Sequence, residues 1–261
     1  MTIFFFIKPF LALILTAATS SLLGVFVLWK KLSYFGDAIS HSILLGAAIG
    51  AVLSLNPDFS LILFAMIFAF LVGFMAQNRY FSKDTIITIS SYFCVALAIV
   101  VNDLSGQDFD FSNYIFGDIL SVGDIDIIAL TAILLAVIFF VIFAFKKILL
   151  MNLANDLAKI EGVKIDLWNG IFLILLTITI AMSVRIVGVL LVTALLVLPA
   201  AIARLFSNSA LQMLLLSVIF AIVVCAFAGA VAQYYNISAG AFSVLVLSVI
   251  FILGSLVHIK K

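Results

Sequence analysis

Charge is scarce in this chain. Asp, Glu, Lys and Arg make up only 10% of its 261 residues, against 67% hydrophobic residues. The formal net charge is +1, with no run rich in Lys or Arg, so nothing resembles the basic footprint of a nucleic-acid partner. Thiols are scarcer still. Cys94 and Cys225 each stand alone inside an apolar stretch, where a thiol reads as a small packing residue rather than part of a disulfide framework. Gly is never followed by Lys, so the G-x-x-x-x-G-K-[ST] loop that cradles ATP phosphates is missing. The H-E-x-x-H pair of a zinc protease is missing too, and the chain is not read as an enzyme. If ATP drives anything here, another polypeptide must bind it.

What the chain has in quantity is apolar length. Nine segments, at about 10–29, 36–55, 59–77, 85–102, 125–145, 168–186, 188–206, 211–234 and 239–258, approach the roughly 20 residues that cross a bilayer as a helix. The expectation is an all-α polytopic membrane protein, a single transmembrane domain over 1–261 with eight or nine spans. The seventh segment is the weakest, because the turn after Arg185 is short and Pro199 interrupts the pattern. Eight spans plus a broken piece fit as well, and a kink at Pro199 is expected from its missing backbone donor. The first apolar run lacks a small-x-small cleavage site before a polar region and reads as a retained span.

Charge sets the orientation. With the loop after the first span in the cytoplasm, Lys30, Lys31, Arg79, Lys83, Lys146, Lys147, Lys159, Lys164, Arg204, Lys260 and Lys261 lie inside. Only Lys8 and Arg185 lie outside, an asymmetry that predicts N-terminus out and C-terminus in. The outer side collects Asp58, Asp103, Asp108, Asp110, Asp118, Asp124 and Asp126. These keep loops soluble or form a mouth that attracts cations or a basic docking rim. Arg185 is expected to meet headgroups or an outer aspartate.

Two places carry chemistry. Residues 146–167 form a long polar connection, in which Asn155 or Asp156 is expected to cap a short helix and Gly162 to end it. Leu157, Ile160 and Ala158 give that helix apolar residues. Two turns are not stable alone, so the helix rests on its own bundle or plugs a groove on a cytoplasmic partner. The second place is Asp37 and His41, four residues apart within a small-residue stretch. Helical spacing puts carboxylate and imidazole on one face. Intramembrane ionisable groups are expensive and usually face a passage. The alternatives are a helix-start carboxylate favoured by the dipole and an imidazole bonding between helices. Gly46 and Gly50 on the same helix permit close approach of a neighbour. A neutral imidazole with a carboxylate suits borderline divalent ions such as zinc and manganese.

Four segments in order resemble the membrane permease of the zinc/manganese ABC importer family. Lys30-Lys-Leu-Ser-Tyr-Phe-Gly-Asp37-Ala-Ile-Ser-His41-Ser-Ile-Leu-Leu-Gly46 resembles the basic pair and G-D-x-x-x-H helix of that family. Tyr114-Ile-Phe-Gly-Asp-Ile-Leu120 resembles its F-G-D segment, and Asp156-Leu-Ala-Lys-Ile-Glu-Gly162 its D-x-A-x-x-x-G coupling region. Val187 to Arg204 resembles its G-x-x-L-x-x-x-L-L-x-x-P-A-A-x-A-R block. The Tyr-Phe-Gly-Asp wording leans towards the zinc branch.

The resemblance implies an ABC permease bundle working as a homodimer in the bacterial cytoplasmic (inner) membrane. It implies ABC ATPase subunits below, a metal-loaded binding protein outside, and a transported divalent ion, zinc for preference, with no permanently bound cofactor. Asp37 and His41 would line the route. The segment 152–164, with Asp156, Leu157, Ala158, Ile160, Glu161 and Gly162, would contain the coupling helix. Asp118 is a lesser candidate at the outer mouth. Rival readings are a permease for manganese, iron or a metal chelate, and an ATP-independent cation transporter using Asp37 and His41 as a relay.

Overall fold

A computed structural model describes residues 2–75, 80–105, 111–235 and 237–259. Arg79, Asp108, Asp110, Lys260 and Lys261 lie outside the described residues. The described residues form eleven α-helices and one 3₁₀ turn, Ile119–Ser121, with no strand. In order the helices are α1 (Thr2–Trp29), α2 (Ser33–Val52), α3 (Pro57–Met75), α4 (Lys83–Ser105), α5 (Ser112–Phe116) and α6 (Asp124–Leu153). They continue with α7 (Asn155–Ile160), α8 (Ile165–Val187), α9 (Val189–Phe206), α10 (Ala210–Tyr235) and α11 (Ala239–Ile259). Among the described residues eight helices are long and apolar enough to cross a membrane; α9 is the shorter apolar piece. The described residues are therefore all-α and polytopic, with eight candidate spans and the shorter α9. α9 runs on through Pro199 as a helix.

Polar residues sit where helices need ends. The Asn56 side chain accepts from the Asp58 and Phe59 amides, and Pro57 follows as the first helical residue of α3, where its missing donor costs nothing. Ser82 caps α4 and Ser209 caps α10 in the same way. The Asp126 carboxylate accepts from the Gly123 amide at the start of α6. α2 is bracketed by two non-glycine residues in the left-handed region, Lys31 before it and Ser54 after it. These allow the abrupt turns that return the chain after so few residues.

The chain divides into two compact units. One comprises Met1–Lys31, Ile119–Phe172 and Ala194–Lys261. Its centre is α1, which packs against α6 and α10, with α11 on α10. Phe26 is fully buried and meets the ring edges of Trp29, Phe140, Phe145 and Phe172 at 5.5–6.5 Å between centroids, the geometry aromatic quadrupoles prefer. Gly24 lets α1 approach α9 at backbone distance: a Cβ there would collide with the Leu196 carbonyl. Lys30 bonds the Asn169 side chain, and the Lys147 ammonium stands 4.1 Å over the Trp168 ring. At another point of the unit Lys8 pairs with Asp124 at 2.8 Å.

The other unit comprises Leu32–Asp118 and Leu173–Thr193. α2 packs against both α3 and α4. Gly46 and Gly50 make the contact with α3 possible. A Cβ on Gly46 would lie 2.8 Å from the Phe64 Cβ and 3.0 Å from the Ser60 carbonyl, and one on Gly50 would collide with the Ser60 side chain. Both cysteines are buried, Cys94 in α4 of this unit and Cys225 in α10 of the other.

Candidate functional site

Backbone geometry fixes which way α2 looks. Gly46 is nine residues from Asp37, and Gly50 nine from His41. Nine residues are about two and a half turns, so the glycine face and the acid–histidine face lie on opposite sides of the helix. With its glycine side held on α3, α2 turns Asp37 and His41 away from that contact. Between them the helix is closed: Phe35, Ala38, Ile39, Ser40 and Ser42 are all buried. The open stripe runs through Tyr34, Asp37 and His41, at spacings of three and four. Exposure falls along it, from 65% at Tyr34 to 52% for the Asp37 side chain, 25% for His41 and 8% at Leu45. The pair is thus reached from the Ser33 end of α2 and shut off beyond His41.

The His41 Nε2 stands 3.5 Å from the Asp37 Oδ2. That is too long for a good N–H···O hydrogen bond. It is close to the separation of about 3.4 Å that two ligands adopt around one tetrahedral ion with bonds of about 2.1 Å. Right-angled ligands at similar bond lengths, as in six-coordination, would stand about 3.0 Å apart. The other ring nitrogen, Nδ1, is buried without a hydrogen-bond partner, so His41 makes no bond to a neighbouring helix. Asp37 lies beyond the first turn of α2, where the helix dipole has little hold on a carboxylate. The flanking hydroxyls do not compete for the pair: Ser40 donates to the Gly36 carbonyl and Ser42 to the Ile39 carbonyl. Among the described residues no three His, Cys, Asp or Glu side chains gather to hold a metal. One chain therefore places two potential metal ligands on this face.

Asp118 does not join this pair. It is exposed, and its amide donates to the Arg185 carbonyl at 2.9 Å. The Arg185 guanidinium in turn pairs with Asp58 at the start of α3. Beside them Gly117 and Gly188, both with positive φ, face each other so closely that a Cβ on Gly117 would lie 2.5 Å from the Gly188 nitrogen and one on Gly188 2.7 Å from the Gly117 nitrogen. Sequence reasoning matched these two glycines to separate motifs without seeing that they touch.

The segment expected to couple to a partner takes an unexpected start. Neither Asn155 nor Asp156 caps α7. Ala154 holds the N-cap position with no side-chain bond, while its own amide closes α6 on the Leu150 carbonyl. Two helices share this single joint, which leaves no separate residue for a polar cap. Gly162 ends the helix with φ +72, and the Gly162 and Val163 amides donate back to the Lys159 and Ala158 carbonyls, the usual glycine-terminated close. Ala158 is fully buried, whereas Leu157 and Ile160 are 54% and 80% exposed. Asp156 and Glu161 are exposed as well. The apolar side of α7 thus points away from its own bundle.

A family model described as the ABC 3 transport family matches residues 3–258. The chain belongs to that family. It is similar to the high-affinity zinc uptake system membrane protein ZnuB of Buchnera aphidicola subsp. Baizongia pistaciae, 34% identical over 255 residues and 97% of each chain. It is also similar to the manganese import system permease protein ScaB of Streptococcus gordonii, 28% identical over 95% of this chain and 89% of that one. Among solved structures it resembles PsaBC from Streptococcus pneumoniae in complex with Fab, with a TM-score of 0.83 at 28% identity, covering 95% of this chain and 89% of the other. As a member of this transport family the chain is a multi-pass membrane protein.

Proposed function

We propose that this chain, acting as one permease domain, is the membrane subunit of an ATP-driven importer that carries divalent metal ions, zinc by preference, across the bacterial cytoplasmic membrane. The observation that carries the reading is the Asp37–His41 pair: two donors 3.5 Å apart on an open stripe of a mostly buried helix. Such a pair replaces part of an ion's hydration shell and leaves the rest open, so the ion can bind and leave again. A second copy of the chain would present a second pair, giving a carboxylate and an imidazole from each side.

Zinc is favoured over manganese because the similarity to the zinc uptake protein is greater than to the manganese permease. Hydrolysis belongs to a separate ATPase, which would receive α7 through Leu157 and Ile160 with Asp156 and Glu161 around them. A metal-loaded protein outside the membrane would deliver the ion at the end of α2 remote from Ser33. There Asp118 serves the loop rather than the ion. The test is uptake by the chain co-expressed with its ATPase and binding protein. Zinc should accumulate in preference to manganese and iron, and only with ATP. Accumulation by the chain alone under an ion gradient would replace this reading with that of a secondary transporter.

A further inference from the structure

We infer that Arg185 is a positioning residue for transport: with Asp58 as its counter-charge, it locks the joint between α8 and α9 onto the start of α3 and the loop after α5. The inference rests on the permease reading above, and every contact that carries it lies within one compact unit.

The joint is abrupt. α8 ends at Val187, α9 begins at Val189, and Gly188 between them has φ +94, a value only glycine adopts freely. A one-residue glycine joint between two long helices is a natural point of flexure. Here it is held on three sides. Gly117, φ +74, lies backbone to backbone against it, with a separation no side chain could enter. The next residue, Asp118, donates its amide to the Arg185 carbonyl at 2.9 Å. The Arg185 guanidinium reaches Asp58, in the first turn of α3. Arg185 is in the last turn of α8, so each charge also sits at the helix end that favours its sign. Tyr114 lies in the field of both: burial is the main cause lifting its phenol above the ordinary range, Arg185 acts to lower it and Asp58 to raise it.

The side chains of the pair are one-third to one-half exposed. Such pairs contribute little to global stability, so losing one should spare the fold and free the joint. A freed joint would absorb movement along α8 and α9 instead of passing it on to α2, which carries the metal pair in the same unit.

The experiment compares Asp58→Asn, Arg185→Gln, the double variant and Arg185→Lys in the full transporter, reconstituted with its ATPase and zinc-loaded binding protein. The readout is zinc taken up per ATP hydrolysed. Each single neutral variant is expected to assemble normally and lower the ratio about tenfold, with the double variant no worse than the lower single, because the two groups act as one unit. Arg185→Lys, which keeps the charge, should retain most of the ratio. Multiplying losses in the double variant, an unchanged ratio in either single one, or failure of the single variants to assemble would each overturn the inference. If the wild-type complex moves no zinc, it is the permease reading that fails.

Discussion

Asp37 and His41 derive their importance from what surrounds them as much as from what they are. A carboxylate and an imidazole one helical turn apart occur on many surface helices, where they titrate and interact weakly. On α2 they lie on an open stripe whose neighbours around the helix, Phe35, Ala38, Ile39, Ser40 and Ser42, are all buried. Replacing either by Ala removes one donor of two; Asp37 is half exposed, and His41, though three-quarters buried, lies on the open stripe rather than in the α3 contact. Uptake by Asp37→Ala or His41→Ala should therefore fall about tenfold or more while co-purification with the ATPase stays normal. Normal metal accumulation by both variants would remove the site from the account. The sequence made the pair visible through its spacing. It gave no sign of the 3.5 Å separation or of the unpaired Nδ1, because these depend on rotamers chosen by neighbouring helices.

At the scale of elements, α2 and α7 show opposite strategies. α2 is held tightly: Gly46 and Gly50 bring its backbone onto Ser60 and Phe64 of α3. Gly50→Val would force the helices apart and rotate the Asp37–His41 face. Expected is a loss of about 1–3 kcal/mol, the usual cost of overpacking, read as a lower unfolding temperature in detergent together with loss of uptake. α7 is held by little besides Ala158 and leaves Leu157 and Ile160 outward. Leu157→Ser with Ile160→Ser removes apolar surface that is mostly exposed, so the protein's own unfolding temperature should change little. ATPase co-purification should drop, and an undiminished yield of complex would contradict a coupling role. Gly162 was legible as the helix stop because only glycine takes that φ freely. The start of α7 was not, because a cap shared with α6 leaves no polar residue to read.

For the whole molecule, apolar length and the distribution of Lys and Arg carry most of the information. α1 and α2 are mostly buried within the chain, whereas α3, α4, α6, α10 and α11 leave large apolar side chains outside. In water such surfaces would aggregate; against lipid they are the required solvent-facing side. The expected topology has the N-terminus outside and the C-terminus in the cytoplasm, following the positive-inside rule. A C-terminal reporter active only outside the cytoplasm should stay silent, and activity there would invert the arrangement.

The sequence by itself determined the class of molecule, the number of spans to within one, the acid–histidine pair and the glycine that stops α7. These follow from local rules: twenty apolar residues satisfy their own backbone only as a helix in lipid, a period of 3.6 sets faces, and φ > 0 selects glycine. Only the tertiary structure decided that the Asp37–His41 face is the open one, that Gly46 and Gly50 serve α3, and that Gly117 meets Gly188 beside the Arg185–Asp58 pair. Those facts join residues far apart in the chain, and no local rule specifies which distant surfaces will be pressed together.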